Sequence, residues 1–248
     1  MDFLRQHEIA EAGHRILNPF TDQKLELLGE LCRWHRDMRL LDLASGKGEM
    51  LCTWAQRHGI QGLGVDISEV FVPAARARAA HLGVADRVRF MQADAGAFGA
   101  EEASFDAVAC IGATWIGGGL AGTINLMRPA LVPGGLLLIG EPFWRETPPE
   151  DAYEALGIGR EEFVSLPGTL DRFEEAGLEL VEMVLADEDS WDRYVAAQWW
   201  TVAAWLDEHP GHADAAGMRG YLDRSRRSHL AYGRHYLGWG VFILRAAG

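Results

Sequence analysis

The sequence is short of three things, and each absence excludes a class of protein. It has no run of about 18 apolar residues, so no helix crossing a membrane is expected. It has only 3 cysteines, Cys32, Cys52 and Cys110, and no two of them form a CxxC pair. That spacing supports neither a disulfide framework nor a zinc site, so no metal is expected, and buried free thiols in a reducing cytoplasm are the simplest outcome. Positive charge is also scarce, since 23 Lys and Arg against 36 Asp and Glu leave a net charge of -13. Such a surface repels phosphate backbones, so nucleic acid is not the expected partner. The one dense basic run, Arg224, Arg226 and Arg227, reads as a solvated helix face. The opening residues, from Met1 to Glu8, carry charges where an export signal needs an apolar stretch.

What is present is an ordinary globular composition, 48% hydrophobic and 24% charged over 248 residues. That length suits one α/β domain with insertions. Short apolar runs at 39–43, 62–66, 88–92, 105–110 and 135–140 read as strands. Helical patterns over 22–37, 50–58, 69–82 and 121–130 alternate with them, and Ser68 is placed to cap the third. This alternation predicts a parallel sheet with helices on both faces. The tail departs from it, with strands at 178–185 and 240–244 around a Trp-rich helical block over 190–237. That block and the insertion at 145–168 read as a cap over the open edge of the site.

The strongest local feature is Leu40-Leu41-Asp42-Leu43-Ala44-Ser45-Gly46-Lys47-Gly48-Glu49. It joins the first strand to a helix. Ligands of open parallel sheets bind beyond the carboxyl ends of the strands, where strand order reverses. Glycine lets backbone approach a ligand there, and the free amides of the helix favour an anionic group. Asp66 closes the second strand, 24 residues after Asp42, near the offset at which an acid bonds a ribose diol. Asp94 follows the third strand and can accept from an adenine amino group. A dinucleotide-binding loop needs G-x-G-x-x-G, and A-S-G-K-G-E misplaces the third glycine, which counts against a nicotinamide dehydrogenase.

This series resembles the class I S-adenosylmethionine-dependent methyltransferases, from about residue 38 to 144. Leu131-Val132-Pro133-Gly134-Gly135-Leu136 matches the turn that family uses before its fifth strand. The resemblance implies a doubly wound, mostly parallel seven-stranded sheet with an antiparallel last strand and helical cap insertions. One domain over 1–248 is expected, with its core at about 36–144, 169–189 and 238–246 and cap segments at about 1–30, 145–168 and 190–237. The implied cofactor is S-adenosyl-L-methionine. Carried over by position, Asp42, Ala44, Gly46 and Gly48 would hold its methionine part and Asp66 its ribose. Ile67 and Ser68 would lie beside the adenosine, Asp94 and Ala95 against adenine, and Cys110, Ile111 and Gly112 along the cofactor. The departure is Ala44, where the family has glycine: alanine is tolerable at negative φ and a problem at positive φ. Lys47 reads as solvated surface.

The implied reaction is methyl transfer to a small-molecule acceptor. Two other readings remain open: a non-catalytic cofactor-binding or regulatory protein, and transfer of another group from a modified cofactor. Glu141, after the fifth strand, is the first candidate for a base or acceptor anchor, against an ordinary loop carboxylate. His14 is the second, against a surface histidine. Trp115 and Trp144 follow strands four and five and are placed for an acceptor pocket. In the late helix, Trp191, Tyr194, Val195, Trp199, Val202 and Leu206 share one face, which reads as core. Gln198, Thr201 and Trp205 share another, which suits a pocket wall, as does the line of His229, Tyr232 and Tyr236. Of these, Tyr194, Gln198 and Tyr232 complete the expected acceptor pocket, with ordinary packing as the alternative for each. Aromatic walls would suit a planar or cationic acceptor.

Overall fold

The computed structural model describes residues 1–247. Its strands are β1 (Arg39–Leu43), β2 (Gln61–Asp66), β3 (Val88–Gln92), β4 (Phe105–Ile111), β5 (Leu131–Trp144), β6 (Leu178–Leu185) and β7 (Leu237–Ala246). They form one seven-stranded sheet in the order β3-β2-β1-β4-β5-β7-β6. The chain runs outward from β1 to β3 and returns to place β4 beside β1, so the switch of direction lies between these two strands. Strands β1 to β5 pair in parallel, and β7 is antiparallel to both neighbours.

Helices cover both faces. α1 (Phe3–Ala10), α2 (Asp22–Leu31), α3 (Glu49–His58), α4 (Phe71–His81) and α5 (Leu120–Met127) are followed by α6 (Glu150–Leu156) and α7 (Leu166–Glu175). α8 (Glu188–Glu208), α9 (Ala215–Ser228) and α10 (Arg234–Tyr236) form the late block, with a π turn at His229–Gly233. Alternation along β1 divides the core. Leu40 packs with Leu51, Trp54 and Val72 on one face, and Leu41 and Leu43 with Ile124, Met127 and Phe173 on the other. Buried side chains of this size contribute about 1.5–3 kcal/mol each. A third cluster, Ile9, Ala10, Val202, Met218 and Leu222, fastens α1 to α8 and α9.

Several boundaries differ from the sequence reading. The helix expected over 22–37 stops at Leu31, because Arg33 and Asp37 take positive φ values of 52° and 67°. β5 and β7 are longer than expected because they pair with each other over eight positions, Leu137–Leu244 to Trp144–Leu237. The late block breaks into separate helices, the first ending at Glu208 before Pro210. Among the described residues no helix is long and apolar enough to cross a membrane. All three cysteines are buried and free.

Candidate functional site

The turn after β1 is built from left-handed backbone. Ala44, Gly46 and Gly48 have φ of 62°, 53° and 70°. Ala44 therefore carries the strain that a positive φ imposes on an alanine, about 1–2 kcal/mol. Gly48 is fixed by packing as well, since a Cβ there would lie 2.4 Å from the Phe90 ring. At Gly46 a Cβ would meet Leu17 at 2.7 Å, where the segment after α1 crosses the turn.

Two carboxylates stand at the strand ends. Asp66 is 7% exposed and accepts from the Gly46 amide at 2.7 Å and the Ser68 amide at 2.9 Å. It stitches the two turns together and keeps lone pairs facing inward. Asp42 is 4% exposed and has no hydrogen-bond partner among the described residues. Burial, and then the neighbouring Asp66 charge, hold its pKa well above the usual carboxylate range. A buried carboxylate in this condition calls for a cationic N–H partner. Asp94 is more open, and its Oδ1 accepts from the Gly96 amide at 2.9 Å.

These residues border a cavity of about 530 Å³, a size that suits a nucleotide-like ligand. Asp42, Ala44, Gly46, Gly48, Asp66, Ile67, Asp94, Ala95 and Ile111 all line it. Ser68 does not: it is fully buried, donates to Glu8 at 2.7 Å and accepts from the amides of Val70 and Phe71. The expected cap is not at Ser68, because α4 begins at Phe71 with Val70 as its N-cap residue, and Ser68 holds the first turn from beneath the site, while Cys110, one residue before Ile111, lies wholly in the core.

The opposite wall comes from distant segments. Phe3 and His7 of α1, Leu17, Asn18 and Phe20, Phe163, Trp191 and Tyr194 of α8, and Trp239 face the loops. Burial keeps the His7 imidazole below its ordinary pKa, although Glu11 and Asp66 pull the other way. Lys47 is not solvated surface. Its Nζ donates to the carbonyls of Glu11, Ala12 and His14 at 2.7, 2.9 and 2.7 Å, latching the N-terminal segment over the turn. Arg15 adds a second latch by pairing with Glu49, which Arg78 also binds.

The expected acceptor and catalytic residues divide. Trp115 and Tyr194 line the cavity, and Trp115 meets the Phe3 ring edge-on at 6.1 Å. His14 lies behind that wall, its Nε2 bonded to the Tyr194 carbonyl at 3.0 Å and its Nδ1 3.2 Å from Glu11. Gln198 is buried on the far side of Tyr194. It donates to the same Glu11 carboxylate at 2.5 Å and accepts from Tyr221. Thus the α8 face read as core does pack in the core at Trp199, Val202 and Leu206, but supplies the cavity wall at Trp191 and Tyr194. The face read as a wall packs inside the cap, where Trp205 stacks on His209. Trp144 packs on Tyr153, and Tyr232 also lies away from the cavity. Glu141 faces a second cavity, of about 930 Å³, and accepts from Thr114 Oγ1 at 2.5 Å. Burial pushes its pKa up to about 7. The contributions of Phe3, His7, Lys47 and Trp239 escaped the sequence reading, and only the cap expected over about 1–30 pointed toward the first two.

The site fits S-adenosylmethionine on its own chemistry. Asp42 lacks the cation that an ammonium would supply, Asp66 and Asp94 can accept from a diol and an amino group, and the start of α3 suits a carboxylate. Among the described residues no cluster of metal-ligating side chains occurs.

Comparison with known proteins gives the same direction. A family model described as a methyltransferase domain matches residues 40–135. The Escherichia coli protein YjhP is 47% identical over 248 residues, covering 99% of this chain and all of that one. A crystal structure of an S-adenosylmethionine-dependent methyltransferase from Geobacter sulfurreducens, in complex with S-adenosyl-L-homocysteine, superposes with a TM-score of 0.94. The two chains are 48% identical, and 98% of each is covered. The 27-O-demethylrifamycin SV methyltransferase of Amycolatopsis mediterranei is 34% identical over 147 residues, 57% of this chain and 54% of that one.

Proposed function

This chain belongs to the class I S-adenosylmethionine-dependent methyltransferases, and from that premise we propose that it methylates a small molecule with a flat, apolar body. S-adenosylmethionine is its cofactor, and when bound it supplies a methyl group on a positively charged sulfur. In this reading Asp42 holds the ammonium, and the turn from Ala44 to Gly48 with the start of α3 holds the carboxylate. Asp66 accepts from the ribose, Asp94 from the adenine amine, and Ile67, Ala95 and Ile111 pack along the cofactor.

The observation that carries the acceptor reading is the wall of Phe20, Phe163, Trp191, Tyr194 and Trp239 facing the cofactor loops across one cavity. Those rings align a flat acceptor and exclude water, and alignment alone can supply roughly 7–11 kcal/mol. The net charge of -13 disfavours a nucleic-acid acceptor. The partial relative named for a rifamycin also supports a small molecule. Three buried free thiols suit a reducing compartment such as the cytoplasm.

The test is incubation with methyl-labelled S-adenosylmethionine and separate pools of small metabolites, nucleic acid and protein. Label is expected in an apolar small-molecule fraction. Label confined to a macromolecule, or none anywhere while S-adenosylhomocysteine binds, contradicts the proposal.

A further inference from the structure

The second cavity is open to solvent between α5, α7 and the segment at Glu161–Phe163, and it shares Thr114, Trp115 and Phe163 with the first. Its innermost charged group is Glu141, only 3% exposed. Thr114 Oγ1 donates to Oε2, and Oε1 has no hydrogen-bond partner among the described residues. Thr114 is itself fixed, because its carbonyl accepts from Thr123 Oγ1 at 2.5 Å and from the Gly119 amide at 3.2 Å.

The other charges around the cavity decide what it would hold. Glu161, Glu162 and Glu175 join Glu141, against Arg128 and Arg172. Both arginines already direct N–H groups to backbone carbonyls, Arg128 to Ala176 and Arg172 to Glu161 and Glu162. The cavity is therefore net acidic, and its deepest carboxylate has an oxygen to spare. An anion would meet four carboxylates against two guanidinium groups, of which Arg172 already acts on Glu141. An N–H cation would satisfy Glu141 and face the apolar wall of Trp115 and Phe163.

We propose that this cavity takes the amine or ammonium end of a small molecule, anchored on Glu141, with the apolar body against the Trp115–Phe163 wall. The inference builds on the reading of a small-molecule acceptor, and it identifies the class as an apolar or aromatic amine.

Three probes of matched shape test it: benzylamine, benzyl alcohol and benzoate. Each is titrated into the protein saturated with S-adenosylhomocysteine, at mildly alkaline pH, by calorimetry and by the Trp115 indole N–H signal in NMR. Benzylamine is expected to bind at least about tenfold tighter than the alcohol, a difference of roughly 1.4 kcal/mol, with benzoate weakest and the Trp115 signal shifted by the amine. Glu141→Gln should remove that preference while S-adenosylhomocysteine still binds, which shows the variant folded. Equal binding of amine and alcohol, tighter binding of benzoate, or no binding of any probe at millimolar concentration overturns the proposal. So does an amine preference that survives Glu141→Gln, or a Trp115 signal that does not move. Amine preference without methyl transfer to any small molecule upholds this cavity and sinks the acceptor reading instead.

Discussion

The two walls of the first cavity are made in different ways. The cofactor wall is backbone: the turn after β1, with Asp66 and Asp94 at the ends of neighbouring strands, all placed by parallel pairing. The cap wall is side chains, brought from α1, the segment that follows it, α8 and β7. One wall is set by local conformation and sheet register. The other depends on long-range packing, as in the bond between Glu11 and Tyr194, 183 positions apart. Substitutions in the first should act through backbone strain and fixed charge. Substitutions in the second should act through closure.

The largest effect is expected at Gly48. Gly48→Ala forces a Cβ against Phe90 at a residue with φ of 70°, and should destabilise the protein by about 3–4 kcal/mol, combining overpacking with left-handed strain. Chemical denaturation measures it, and a loss under about 1 kcal/mol would show that this turn yields more than its packing implies. On the cap side, Lys47→Met keeps the stem and removes the donor to three carbonyls. A loss of about 2 kcal/mol, or roughly 30-fold in S-adenosylhomocysteine affinity, is expected, with faster proteolysis between residues 11 and 20. Unchanged cleavage there would remove the latch from the account. The smallest effect is at Ala44, where Ala44→Gly should relieve strain and stabilise by up to about 1 kcal/mol, part of the relief being offset by glycine's freedom in the unfolded chain. A destabilised variant would mean that the Cβ contributes more packing than its backbone costs.

The same division governs how much could be read before folding. The placement of Asp42, Gly46, Gly48, Asp66 and Asp94 along one cavity was legible because each ends or follows a strand whose register carries it to one edge of the sheet. Ser68 read as a cap, but the helix starts two residues later than expected, and its depth beneath the site depends on Glu8 reaching over from α1. The α8 stripes show where periodicity stops. It placed Tyr194 and Gln198 on different faces, yet both reach the same Glu11 oxygen, and which side meets the cavity is settled by Ile9 and Ala10 packing with Val202. His14 and Gln198 look like site residues by type, and both are drawn inward by the buried Glu11 carboxylate. Glu141 follows β5 as expected, but Thr114 and the second cavity give it a setting that no local pattern contains.

We propose that the buried, unpartnered Asp42 binds the ammonium of the cofactor. Calorimetric titration of S-adenosylhomocysteine into the wild type and Asp42→Asn, alongside denaturation of both without ligand, checks this role. Opposite signs are expected: affinity falls about 100-fold, or roughly 3 kcal/mol, while the unliganded protein becomes more stable because an uncompensated buried carboxylate is gone. Affinity within a few-fold of the wild type would contradict it.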